Sequence, residues 1–150
     1  MDMPKPDHRH QQLARLAGSW RGDEKMPASD WAPAGSATGI VENRVALDGF
    51  AVIQDYRQES SGVVTFRGHG VFTVDGDDVA LYWFDTMGGS ANVYRGRWQG
   101  EVLSLAAELG PMSSRCVFTV SGGRYRFEMD MKAPGGDWKN MMTGQYSKAG

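Results

Sequence analysis

Leu13-Ala14-Arg15-Leu16-Ala17-Gly18-Ser19-Trp20 is the stretch that decides the fold. Its first half has helical spacing: Leu13, Leu16 and Ala17 form one apolar stripe, Asp7 stands ready as an N-cap, and Gly18 follows as a terminator. A helix over residues 8–17 is too short to be stable alone, so it must dock on something. From Ser19 onward the apolar period changes to two and stays so almost to the last residue. The chain is thus a short helix that runs, through Gly18-Ser19-Trp20, into a long series of strands.

The alternation places strands near 19–26, 36–47, 50–59, 63–74, 78–86, 91–99, 101–108, 114–121, 123–132 and 137–147. Turn chemistry separates them, as in Leu47-Asp48-Gly49, Asp75-Gly76-Asp77, Gln99-Gly100, Ser121-Gly122-Gly123 and Pro134-Gly135-Gly136. Such close spacing leaves no room for crossover helices, so the expected sheet is an antiparallel meander. An open sheet of this size would present two bare edges, and closure removes both. The expected fold class is therefore all-β, a closed barrel of about ten strands.

The 150 residues predict one domain, with residues 1–6 as a flexible tail. The 20 glycines suit tight turns and close strand contacts. A net charge of −2 with scattered basic residues argues against a nucleic-acid partner. No Lys/Arg cluster points to an anionic membrane surface, and no apolar run approaches the ~18 residues of a membrane-spanning helix. The single cysteine, Cys116, excludes an internal disulfide and multi-cysteine metal centres. Met1–Asp7 lacks the apolar run of a signal peptide, which makes the cytoplasm the expected compartment.

Strand parity then sorts side chains. Tyr125, Phe127, Met129 and Met131 share one face of 123–132, opposite five charged residues. Phe50, Val52, Gln54 and Tyr56 form the inward set on 50–59. On 63–74 the inward set is Phe66, Gly68, Gly70, Phe72 and Val74, the glycines either leaving space or letting neighbouring chain approach. Trp138, Asn140, Met142, Gly144 and Tyr146 share a face of the last strand. A cavity so built would be lined by Tyr56, Phe72, Trp83, Tyr125, Met129, Trp138 and Met142, with Asp85 as its polar handle. Methionines and aromatics suit a loosely specific apolar or aromatic ligand; the same residues could also fill a solid core. Strand 78–86 is apolar on both faces, so its exterior needs a cover, either the helix or a second copy in a homodimer.

Trp83-Phe84-Asp85 is the segment with most chemical promise. A carboxylate beside a tryptophan could act as a general base or anchor a cation, or could simply end the strand and bond to the Gly88-Gly89 turn. His69 shares parity with Arg67 and Val71 and is expected outside. A catalytic or haem-binding role would need a bulge near it. His8 and His10 fall on different helix faces and make no metal site. Arg115 could meet an acidic ligand or Asp85, and Cys116 reads as a buried inert thiol. Ser113-Ser114 lacks a nucleophile elbow, and no motif calls for a cofactor. The irregular loop 27–35, with Trp31, is either a lid over the open end or an ordinary connection.

His10, Leu13, Leu16, Gly18 and Trp20, then Leu47-Asp48-Gly49-Phe50, Phe66-Arg67-Gly68-His69-Gly70, Trp83-x-Asp85 and Tyr146, resemble a bacterial family of lipocalin-like, calycin-type domains of unknown function. The resemblance runs from about His8 to Tyr146. It implies a closed antiparallel barrel with an N-terminal helical plug, supports Trp20 as a structural plug, and marks Trp83 and Asp85 for testing. It carries no catalytic residue or cofactor. A more distant similarity is to nitrobindin, a haem-binding barrel whose iron is held by a late histidine; here no histidine follows His69, which argues against haem. The expected function is binding of a small molecule in the barrel. Two alternatives are acid/base catalysis by Asp85 with His69 and a purely structural, dimerising module.

Overall fold

The structure is a computed structural model that describes residues 2–30 and 32–149. Helix α1 (His8–Leu13) runs into a 3-10 turn (Ala14–Leu16). Ten strands follow: β1 (Gly18–Met26), β2 (Gly35–Ala46), β3 (Ala51–Ser60), β4 (Val63–Asp75) and β5 (Asp78–Asp85) make the first half. β6 (Asn92–Gln99), β7 (Val102–Leu109), β8 (Met112–Ser121), β9 (Arg124–Lys132) and β10 (Lys139–Lys148) make the second. Each strand pairs antiparallel with the next, and β1 closes the barrel by pairing with β10. Every strand boundary falls within two residues of its predicted position. Asp2–Pro6 are exposed and carry no regular structure. Among the described residues no helix is long and apolar enough to cross a membrane.

The helix starts where its sequence says. The Asp7 carboxylate accepts the Arg9 N–H at 3.0 Å, and His10 Nδ1 accepts the Asp7 N–H at 3.0 Å. This is a capping box with an imidazole in the place usually held by Glu or Gln. His10 is thus a cap residue, and its ring also meets the Phe50 ring edge-on at 5.1 Å. Phe50, expected to face the barrel interior, instead ends a short turn (Leu47–Gly49) beneath the helix, and β3 begins one residue later.

Six helical residues cannot hold themselves, and the barrel supplies what they lack. Leu13 and Leu16 are fully buried in the floor with Trp20. The Trp20 indole donates to the Leu16 carbonyl at 3.2 Å and stacks on Tyr125 at 5.2 Å. The Lys148 ammonium lies 4.4 Å from its ring. Arg9 and Arg15 reach the turns at Gly76 and Gly100, tying the plug to the β4–β5 and β6–β7 connections. The helix sits against β3 and β4 at this end and leaves Phe84 and Val93, on the outer faces of β5 and β6, exposed.

Trp20→Ala removes the centre of the floor and should cost about 3–5 kcal/mol, the usual range for deleting a buried large aromatic. Urea unfolding of the variant beside the wild type measures it; a loss under about 1 kcal/mol would show that the floor closes without the indole.

Candidate functional site

The end opposite the helix is open, and a cavity of about 400 Å³ runs from it toward the floor. Tyr56 on β3, Trp83 and Asp85 on β5, Tyr125 and Met129 on β9, and Met142 on β10 all line it. Two residues expected there are elsewhere. Phe72 is fully buried deeper down, edge-on to Phe118 at 5.5 Å, where the barrel is filled. Trp138 lies outside because β10 bulges between Asn140 and Met142, which breaks the parity linking it to Met142. Its ring carries the Arg115 guanidinium at 4.3 Å and the Lys132 ammonium at 5.6 Å. The bulge also brings Met141 beside Met142 in the lining.

Gly68 and Gly70 do not leave empty space. They seat an indole: a methyl group at Gly68 would overlap the Trp83 ring, and one at Gly70 would crowd it. Trp83 therefore lies flat along β4, with its N–H donated to Asp85 at 2.9 Å. The other Asp85 oxygen accepts the Met87 N–H at 2.9 Å, so this carboxylate both lines the cavity and closes the turn after β5. His69 points away on the outer surface, 2.7 Å from Asp55. Asp85 and His69 thus lie on opposite faces of the sheet, and the expected catalytic pairing of the two is not formed. Arg115 pairs with Asp130 at 2.8 Å and not with Asp85. Cys116 lines the inner part of the cavity, and burial pushes its thiol up to about 12. The described residues of the 27–34 connection are exposed and none lines the cavity; Trp31, the residue that suggested a lid, lies outside the described residues.

The strongest polar feature is one that the sequence reading passed over. Glu24 on β1 is fully buried. Its carboxylate accepts the Tyr56 hydroxyl at 2.7 Å, the Tyr146 hydroxyl at 2.5 Å and the Gln58 amide at 3.0 Å. Glycines on both flanking strands make room: a methyl group at Gly39 would overlap the carboxyl group, and one at Gly144 the Tyr146 hydroxyl. No ion pair involves Glu24 among the described residues; neutral donors alone hold it. The signal was present in the sequence, since Glu24 shares the parity of Trp20 on the same strand.

Below it a second chain of polar groups crosses the floor. Asn43 donates to the Leu16 carbonyl at 2.9 Å, Gln54 donates to Asn43 at 3.0 Å, and Gln54 also reaches the Tyr125 hydroxyl at 3.3 Å. The Tyr94 hydroxyl donates to Ser114 at 3.0 Å. Among the described residues no group of three or more His, Cys, Asp or Glu side chains is placed to hold a metal ion.

A family model described as a protein of unknown function, DUF1579, matches residues 5–148. The chain belongs to the DUF1579 family. The crystal structure of Rv2717c from M. tuberculosis superposes with a TM-score of 0.75 at 16% identity, covering 97% of this chain and 100% of that one. A DUF3598-family protein of unknown function from Nostoc punctiforme superposes at 0.50 with 10% identity, over 91% of this chain and 49% of that one. At these identities the structural likenesses speak for the barrel alone. No curated protein matches the chain.

Two outcomes follow from this geometry. Burial, first of all, pushes the Tyr56, Tyr125 and Tyr146 hydroxyls well above the ordinary tyrosine range, and Tyr94 up to about 12. Glu24 adds to the effect at Tyr56 and Tyr146. An unfolded tyrosine ionises near 10. Folded values above that mean the contribution is fully present below about pH 10 and is lost as pH rises further. In Tyr82→Phe, which leaves only these four tyrosines, tyrosinate absorbance should therefore rise together with loss of near-ultraviolet dichroism, in one cooperative step; ionisation of these tyrosines within an intact fold would contradict it. Gly68→Ala should displace the Trp83 indole at a cost of about 1–3 kcal/mol, as for overpacking elsewhere. A thermal melt and the tryptophan emission maximum together report that change.

Proposed function

We propose that this protein is a lipocalin-like container that holds a small apolar or aromatic molecule inside its barrel. The observation that carries the reading is the cavity itself. Its volume of about 400 Å³ lies within the ordinary range of small-molecule sites. Its walls are mostly Tyr, Trp, Phe and Met side chains, with few polar groups among them. Methionine side chains adapt to irregular shapes, which suits a ligand recognised more by surface than by a full set of hydrogen bonds.

Catalysis is the weaker alternative. An acid/base pair needs its two groups to act on one substrate, but the Asp85 oxygens are held by Trp83 and Met87 and His69 is held by Asp55, although both residues border a shallow groove at Gly68. The lining offers no histidine to a haem iron. A second copy of the chain on the outer faces of β5 and β6 is part of the proposal, because Phe84 and Val93 are exposed there. Monomeric scattering at high concentration would remove that part.

The container reading is tested with a neutral environment-sensitive fluorophore such as N-phenylnaphthylamine. Saturable, blue-shifted emission is expected with the wild type. Met129→Trp should fill the space and weaken binding at least about tenfold, equivalent to roughly 1.4 kcal/mol, while far-ultraviolet dichroism reports an intact barrel. A wild type that gives no saturable signal would sink the reading.

A further inference from the structure

Charge is distributed unevenly between the two faces of this barrel. On the outside, cations are interspersed with the acids and several are paired: Asp55 with Arg44 and His69, Asp75 with Arg95, Asp78 with Arg97, Asp130 with Arg115, and Glu128 with Arg126. On the inside the pattern changes. Asp85 lines the cavity, and Glu24 lies directly behind the Tyr56 and Tyr146 hydroxyls. Neither forms an ion pair among the described residues, and no Lys, Arg or His side chain is part of the lining. Arg115 and Lys132, on the strands around the open end, are drawn outward over the Trp138 ring.

Gln58 and Asn92 bring amides to the lining, but around Tyr56, Trp83, Asp85 and Tyr146 the hydrogen-bonding capacity leans the same way. The Trp83 N–H is spent on Asp85, and the Tyr56 and Tyr146 hydroxyl hydrogens are spent on Glu24. What these residues still offer is lone pairs, on two phenolic oxygens and on a carboxylate that takes only one neutral N–H at each oxygen. A ligand using them must donate.

Tyr56 pairs with Gly68, and Gly68 with Asp85, so the three occupy one row across β3, β4 and β5. The Tyr56 ring lies 6.1 Å from Phe66 and 6.3 Å from Trp83. Three aromatic rings and a carboxylate around one corner form the kind of cage that attracts a cation through ring quadrupoles and charge together.

We infer that the cavity selects a protonated amine carried on an apolar or aromatic body, its ammonium seated among Tyr56, Phe66, Trp83 and Asp85. The inference rests on the container reading and names its ligand class. Acidic amphiphiles are disfavoured, because the lining holds no cationic side chain to compensate a second negative charge beside Asp85 and Glu24.

The test uses three probes of matched shape, naphthylmethylamine, naphthylmethanol and naphthoate, titrated into the full chain by calorimetry at neutral pH. The amine should bind about tenfold more tightly than the alcohol, the order expected for a desolvated cation over aromatic faces beside a carboxylate. Naphthoate should be the weakest. In Asp85→Asn the ratio of amine to alcohol affinity should fall severalfold, leaving only the share that the aromatic faces supply; an unchanged ratio would remove the carboxylate from the inference. An amine that binds no better than the alcohol, or a naphthoate that binds best, overturns the charge selectivity while the container stands. If none of the three binds, the container reading fails and the inference with it. The wild-type ranking decides the matter even if the variant is poorly folded.

Discussion

Closure of the sheet is the constraint on which everything else rests. β1 pairs with β2 on one side and β10 on the other, so the sheet has no bare edge. Closure also fixes the circumference. Eight strands make an interior that side chains can just fill, and ten make a wider one. The surplus must be dealt with at both ends. At the floor Leu13, Leu16 and Trp20, with Phe72, Phe118 and Tyr125, fill it solidly. Above them it stays open as the cavity. The plug and the site are therefore two consequences of one geometric fact. The helix is held by the barrel, and the barrel would leave its core wet without the helix.

Within that frame the polar interior is arranged with care for satisfaction. A buried carboxylate without donors would be expensive, and Glu24 has three donor groups. These contacts orient Tyr56 and Tyr146, two of the walls of the cavity, with their hydrogens turned away from it. The side chains that support Glu24 are thus the ones that give the cavity its acceptor character. Glycines serve the same end by a different route. Gly68 and Gly70 seat the Trp83 indole, while Gly39 and Gly144 leave room for the carboxyl group and its tyrosine. The functional reading depends as much on what these positions lack as on what their neighbours carry.

Much of the candidate site was legible because strand parity is a short-range property. Tyr56, Trp83, Asp85, Tyr125, Met129 and Met142 all face inward as alternation requires. The same rule applied to β1 would have placed Glu24 inside with Trp20, but Asp23-Glu24-Lys25 reads as an ordinary solvated run when charge is weighed before parity. Trp138 was misplaced because parity holds only while pairing is regular, and a bulge beyond it resets the phase. Phe72 had the correct face at the wrong depth. Depth along a barrel depends on how strands are staggered around the ring, and that is a property of all ten together.

The sequence by itself determined the class of fold, the number and limits of the strands, the plug with Asp7, Leu13, Leu16, Gly18 and Trp20, and the outward direction of His69. These follow from periodicity, turn chemistry and capping, which act over a few residues. Only the tertiary structure decided that the interior holds a cavity above a packed floor, that Glu24 is buried among tyrosines 32 and 122 positions away, and that the interior acids lack the cations found outside. Those outcomes depend on which strands meet around the ring and how far each is staggered. They arise from contacts between distant residues, and no local pattern records them.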